Sequence, residues 1–167
     1  LEGNDTEPTG LAFQRMLARP NADLKALRDL HGQLAKTRDW PFLLDLGGVL
    51  DDRSAMLAVL REAAKDPVYG GSRAGIVFQM ETADALGDAD VAVDALRRFL
   101  ESVKGFNDGT MHHRAYWQFW TSPHSGLRSH PEFKRLLIDT GVAKYWRQTG
   151  RWGDGCKPVG ADDFQCE

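Results

Sequence analysis

Cys156 and Cys166 are the only two thiols in this chain of 167 residues, and both sit in its last dozen, in a stretch rich in Gly, Pro and Asp. Such a pair could close a structural disulfide, act as a redox couple, or remain as two unrelated thiols. Zinc is a poor fit, because two thiols without a CxxC pair need nearby histidines, and all five histidines lie at or before His130. The intervening residues can turn, so the expectation is a Cys156–Cys166 disulfide. A ring this small stabilises by somewhat under ~3 kcal/mol in the loop-closure estimate, enough to hold a tail whose own core is thin.

Other residues invite chemistry less strongly. His112 and His113 are adjacent, so on a helix they point about 100° apart and seldom share one ion. Gly70-Gly71-Ser72-Arg73-Ala74 has part of a nucleophile elbow but lacks the second Gly and a preceding strand, and Ser72 reads more simply as a helix N-cap. Asp154, Asp162 and Asp163 lack calcium-loop spacing, and no phosphate-cradling Gly loop is present. The expectation is no catalytic residue, no metal and no cofactor. Within residues 116–120, Tyr116, Phe119 and Trp120 share a helix face and read as core. Trp117 lies off that face and is a candidate for a binding surface.

Composition places no constraint on partner charge. The net charge is −3, with 42% hydrophobic and 27% charged residues, close to ordinary globular values. This gives no pull toward nucleic acid or an anionic membrane. Residues 128–157 hold seven bases against three acids, a mild basic surface. No apolar run approaches the ~20 residues of a membrane helix. Leu1-Glu2-Gly3 replaces an initiator Met, so the chain is expected to be a piece of a longer protein.

The elements that must position these residues are helical. Ala92, Ala95, Leu96, Phe99 and Val103 step by three or four across residues 89–103, with Asp94, Arg97, Arg98 and Glu101 opposite. Met56, Val59, Leu60 and Ala63 do the same over 53–66. Apolar segments before each, at 40–50 and 73–87, predict antiparallel hairpins joined at Asp51-Asp52 and Gly87-Asp88. Upstream, a short helix ends near Pro20, and Asn21 is placed to cap one that runs through Leu24, Leu27, Leu30 and Leu34. Downstream, Ser129-His130-Pro131-Glu132 reads as a capping box for a helix over 131–140, closed by Gly141. A last helix carries Tyr145 and Trp146 to Gly150. No segment alternates with period two over more than a few residues, so no strand is expected and the C-terminal end is read as an irregular cap. The chain is read as one all-α domain: helix hairpins over 8–105, then closing helices and cap over 106–167.

Ala85-Leu86-Gly87-Asp88…Ala92…Leu96 resembles the centre of a tetratricopeptide repeat, in which a Gly closes the first helix and a small residue five later lets the second pack tightly. Ala55, Val59 and Pro67 repeat this more loosely, 37 residues earlier, with Leu50 in place of the Gly. The segment SPHSGLRSHPEFKRLLIDTGVAKYWRQTG, with Trp146, Gly150, Cys156, Pro158, Phe164 and Cys166, is similar to the closing part of tetratricopeptide-like regions in bacterial regulators. In those proteins the helical region lies behind a winged-helix DNA-binding or adenylate cyclase domain. The resemblance implies a short right-handed stack capped by Trp146, Trp152 and Phe164. It also implies a non-enzymatic regulatory module for a protein or peptide partner, with Arg73, Gln79 and Ala83 lining its groove, and no nucleic acid or membrane bound by this part. A parent anchored in the membrane, with this part in the periplasm, follows from the resemblance and the disulfide; the alternative is cytoplasmic. The runner-up function is a small-molecule or enzyme-accessory domain using the aromatic 116–120 region.

Overall fold

The structure, a computed structural model, describes residues 9–19, 21–37, 41–66, 73–103 and 126–166. Among them are nine helices and one two-stranded sheet. The helices are α1 (Thr9–Leu17), α2 (Leu24–Thr37), α3 (Pro41–Gly47), α4 (Arg53–Ala63), α5 (Arg73–Ala85), α6 (Ala89–Val103), α7 (Gly126–Ser129), α8 (Pro131–Asp139) and α9 (Val142–Thr149). Strands β1 (Cys156–Val159) and β2 (Asp163–Cys166) follow. The fold is all-α with a C-terminal cap.

The α5–α6 hairpin is the centre. Gly87 adopts φ 73, a left-handed conformation that Gly takes without a Cβ penalty, and it reverses the chain between the two helices. Asp88 then caps α6 by accepting from the Val91 amide at 3.0 Å. Ala92, Ala95 and Leu96 are fully buried against α5, as the 3.6-residue period requires. The rings of Phe13 in α1 and Phe42 in α3 meet Phe78 of α5 at 6.2 and 6.0 Å, so one ring ties three helices together. Helix α1 thus packs on α5 as well as on its sequence neighbour α2, a contact that skips the intervening hairpin.

Polar contacts fix the helix ends. The Arg53 guanidinium donates to the carbonyls of Leu86 (2.9 Å), Ala85 (3.0 Å) and Leu17 (3.4 Å), filling carbonyls that helix ends leave unpaired. His31 Nε2 bonds the Leu43 carbonyl, and its ring lies so close to Gly47 that a Cβ there would stand 2.5 Å from it.

Three sequence expectations change. Asp23, rather than Asn21, caps α2, accepting from Lys25 and Ala26 amides at 2.9 and 3.2 Å, because the helix begins at Leu24. His130, rather than Ser129, caps α8: its Nδ1 accepts from the Glu132 amide at 3.1 Å. The capping box fails because Ser129 belongs to α7. The C-terminal cap, expected without strands, contains an antiparallel hairpin with Cys156 opposite Cys166 and Pro158 opposite Phe164. Each strand is four residues long, too short for a period-two signal, and only β2 alternates, with Phe164 and Cys166 inward. Gly141 and Gly150 take left-handed conformations at φ 79 and 67, as their positions suggested.

Candidate functional site

Arg73, Gln79 and Ala83 do not form an open groove. Gln79 is 1% exposed, and its Oε1 accepts from Arg98 at 3.0 Å. Its amide nitrogen has no hydrogen-bond partner among the described residues, as is also true of the buried Gln14 Oε1 and Thr82 Oγ1. Ala83 is fully buried. The Arg73 guanidinium donates to the Ser102 carbonyl at 3.3 Å, near the C-terminal end of α6. The physical reason is the depth of α5. Nine of its thirteen residues are buried, so the face that would line a repeat groove is spent on packing. Trp117 and the 116–120 aromatics, like Trp40, Pro67, Ser72, His112, His113 and His124, lie outside the described residues.

Cys156 and Cys166 are disulfide-bonded. The bond closes the hairpin on which Phe164 is carried. Phe164, Trp146 and Trp152 form a three-ring cluster with centroid separations of 5.5 to 6.0 Å, and Lys134 stands over the Phe164 ring at 5.4 Å. The cap therefore seals α8 and α9. A polar seam ties α7 and α8 in turn to the central hairpin. Buried Asp84 accepts from the Leu127 amide at 2.9 Å. His130 contacts Asp90 at 2.9 Å; with Nδ1 accepting, Nε2 is the nitrogen that donates. Arg97 pairs with Glu132 at 3.0 Å. Sequence reasoning did not single out Asp84 or Arg53. Asp84 had one signal, a carboxylate inside an apolar run of a buried helix.

The described residues include three surface clefts. One, of about 410 Å³, lies between the α7–α8 turn and the hairpin, and Lys134 and Asp163 in its lining form an ion pair. The bond from Lys134, helped by the Phe164 amide and by the charges of Lys134 and Arg147, holds the Asp163 carboxyl below the usual range. The second, about 320 Å³, separates α6 from α8, and Arg97, Glu132, Arg135 and Asp139 across it pair with one another. The third and widest, about 680 Å³, runs between α3 and α4. Its floor is apolar, with Phe42, Val59 and Ala63, and its walls carry Asp45, Glu62 and Asp66 against one base, Lys65. Lys65 is bonded to Glu62 at 2.7 Å. On the outer face of the same helix α3, Leu44 is 70% exposed, the most exposed large hydrophobic among the described residues.

No group of His, Cys, Asp or Glu able to hold a metal occurs among the described residues. No helix among them is long and apolar enough to cross a membrane. No protein-family profile, curated protein or solved structure matches the chain.

Proposed function

We propose that this chain is a non-enzymatic regulatory module whose α3–α4 groove binds a protein or peptide partner. The observation that carries this reading is the groove itself, apolar at the floor and charged at the walls. A buried apolar strip with a polar rim is the general anatomy of a protein-recognition surface. The charges in the other two clefts are paired with each other rather than converging on one point, which favours recognition over catalysis. The resemblance to the helical regions of bacterial regulators supports the C-terminal, sensory part of a membrane-anchored transcription regulator as the parent. The disulfide supports an oxidising compartment, and with that resemblance the periplasm.

A peptide-display selection on the intact chain tests the groove. Selected sequences are expected to converge on one motif and to lose at least tenfold in affinity on Val59→Glu, a half-buried position in the groove. Enrichment no better than on a blank surface, or binding indifferent to Val59→Glu, rejects the reading. Thiol titration of the unfolded, unreduced protein tests the compartment: protein from an oxidising compartment is expected to show no free thiol, and two per chain would remove the support.

A further inference from the structure

We infer that the α3–α4 groove takes a cationic amphipathic helix of about three turns; this rests on reading the groove as the partner-binding surface. Both walls are helices, whose backbone groups bond within their own turns, so neither offers an unpaired strand edge to an extended peptide. A helical ligand satisfies its own backbone and needs only side-chain complementarity, the recognition mode in which an amphipathic helix lays its apolar face into a groove. The floor supplies the apolar half through Phe42, Val59 and Ala63.

The charge pattern sets the ligand's sign. Asp45 stands on the α3 wall, and Glu62 and Asp66 on the α4 side, so carboxylates flank the apolar strip on both sides. Among the described lining residues three acids stand against one base, Lys65, so the lining carries a net negative formal charge. An anionic ligand would meet like charge on both walls, whereas Lys or Arg on the flanks of an apolar helix face would meet opposite charge on each. On the α4 side the lining runs from Ala58 to Asp66, about 13 Å at ~1.5 Å per residue, a length that a ligand helix of about three turns covers.

The test uses the intact, oxidised chain and three labelled 14-residue helices that carry the same Leu face with Lys, Gln or Glu flanks. The Lys helix is expected to bind most tightly, with affinity falling at least tenfold in Asp45→Lys/Glu62→Lys and falling with added salt. The Glu helix is expected to gain affinity for that same variant. Asp29→Lys/Asp154→Lys changes the net charge equally at exposed positions outside the groove, and is expected to leave binding within twofold. Equal loss in both double variants would reduce the effect to overall charge and overturn the inference. Equal binding of all three helices, abolished by Val59→Glu, would overturn the cationic assignment while leaving the groove as a partner surface. Binding of none of the three also overturns it, and the fate of the broader reading then rests on the display selection. Dimerisation of the chain alone, abolished by Asp45→Lys/Glu62→Lys, would give the groove to a second copy instead.

Discussion

The α3–α4 and α5–α6 pairs share a plan and differ in depth. In α5–α6, a left-handed Gly87 reverses the chain and fully buried Ala92 lets the helices close on each other. Their thirteen and fifteen residues pack along most of their length. In α3–α4 the reversal runs through Gly48, Val49 and Leu50 with no left-handed glycine, and Leu50 turns into the core at 5% exposed. Helix α3 has seven residues against eleven in α4, and Ala55, at the position matching Ala92, is only half-buried. The short helix leaves part of α4 uncovered, and the groove lies there. The difference teaches that a helix pair can spend its apolar surface on packing or leave some for a partner, and that turn chemistry and helix length decide which.

The largest expected effect contrasts core with exposed surface. Leu96→Ala removes a fully buried side chain from α6 and is expected to cost about 2–5 kcal/mol in urea unfolding. Leu44→Ala, on the outer face of α3, is expected to stay within about 0.5 kcal/mol. Comparable losses would mean that α3 is buried as deeply as α6, and the contrast would fail.

Next in size is overpacking. Ala92→Leu forces a larger side chain into a closed helix crossing and is expected to cost about 1–3 kcal/mol. Ala55→Leu, at the matching but half-open position, is expected to cost less. The same denaturation series compares them, and equal costs would show that the two pairs close alike.

The smallest effect extends the contrast to the cap. The folded-state pKa of Asp163 lies below its unfolded value, through the Lys134 bond first. The stability it contributes is therefore fully present above about pH 4, the ordinary carboxylate range, and is lost as pH falls through the lower folded value. Because the carboxyl is largely exposed, the effect is small. Tryptophan fluorescence of the Trp146–Trp152 cluster is expected to respond below about pH 4 in the parent and to lose that component in Asp163→Asn. A response centred near neutrality would show that another group controls the hairpin.

Much of the helical architecture is legible in residue spacing. The 89–103 periodicity gives α6 to the residue, and Gly87, Gly141 and Gly150 mark their turns because only Gly takes a left-handed conformation without strain. The caps are less legible. Asp23 against Asn21, and His130 against Ser129, differ by one or two residues, and the choice depends on which amide is left unpaired once the helix begins. The candidate site was the least legible. Gln79 and Ala83 stand where a repeat would present its groove, and nothing in their spacing tells that α5 would be buried on nearly all sides. Asp45 and Glu62 attract no notice in sequence, since acids on helix surfaces are ordinary.

The sequence by itself determined the local terms: which segments are helical, which glycines reverse the chain, and which two thiols can meet. Those follow from backbone sterics, hydrophobic period and short loop closure, all of them properties of neighbours in the chain. Only the tertiary structure decided that α1 folds past its neighbours onto α5, that Arg53 fills the carbonyls of two distant helices, and that the open surface belongs to α3–α4. Burial depends on what every other segment covers, so whether an amphipathic face becomes core or binding surface is fixed by the whole chain at once.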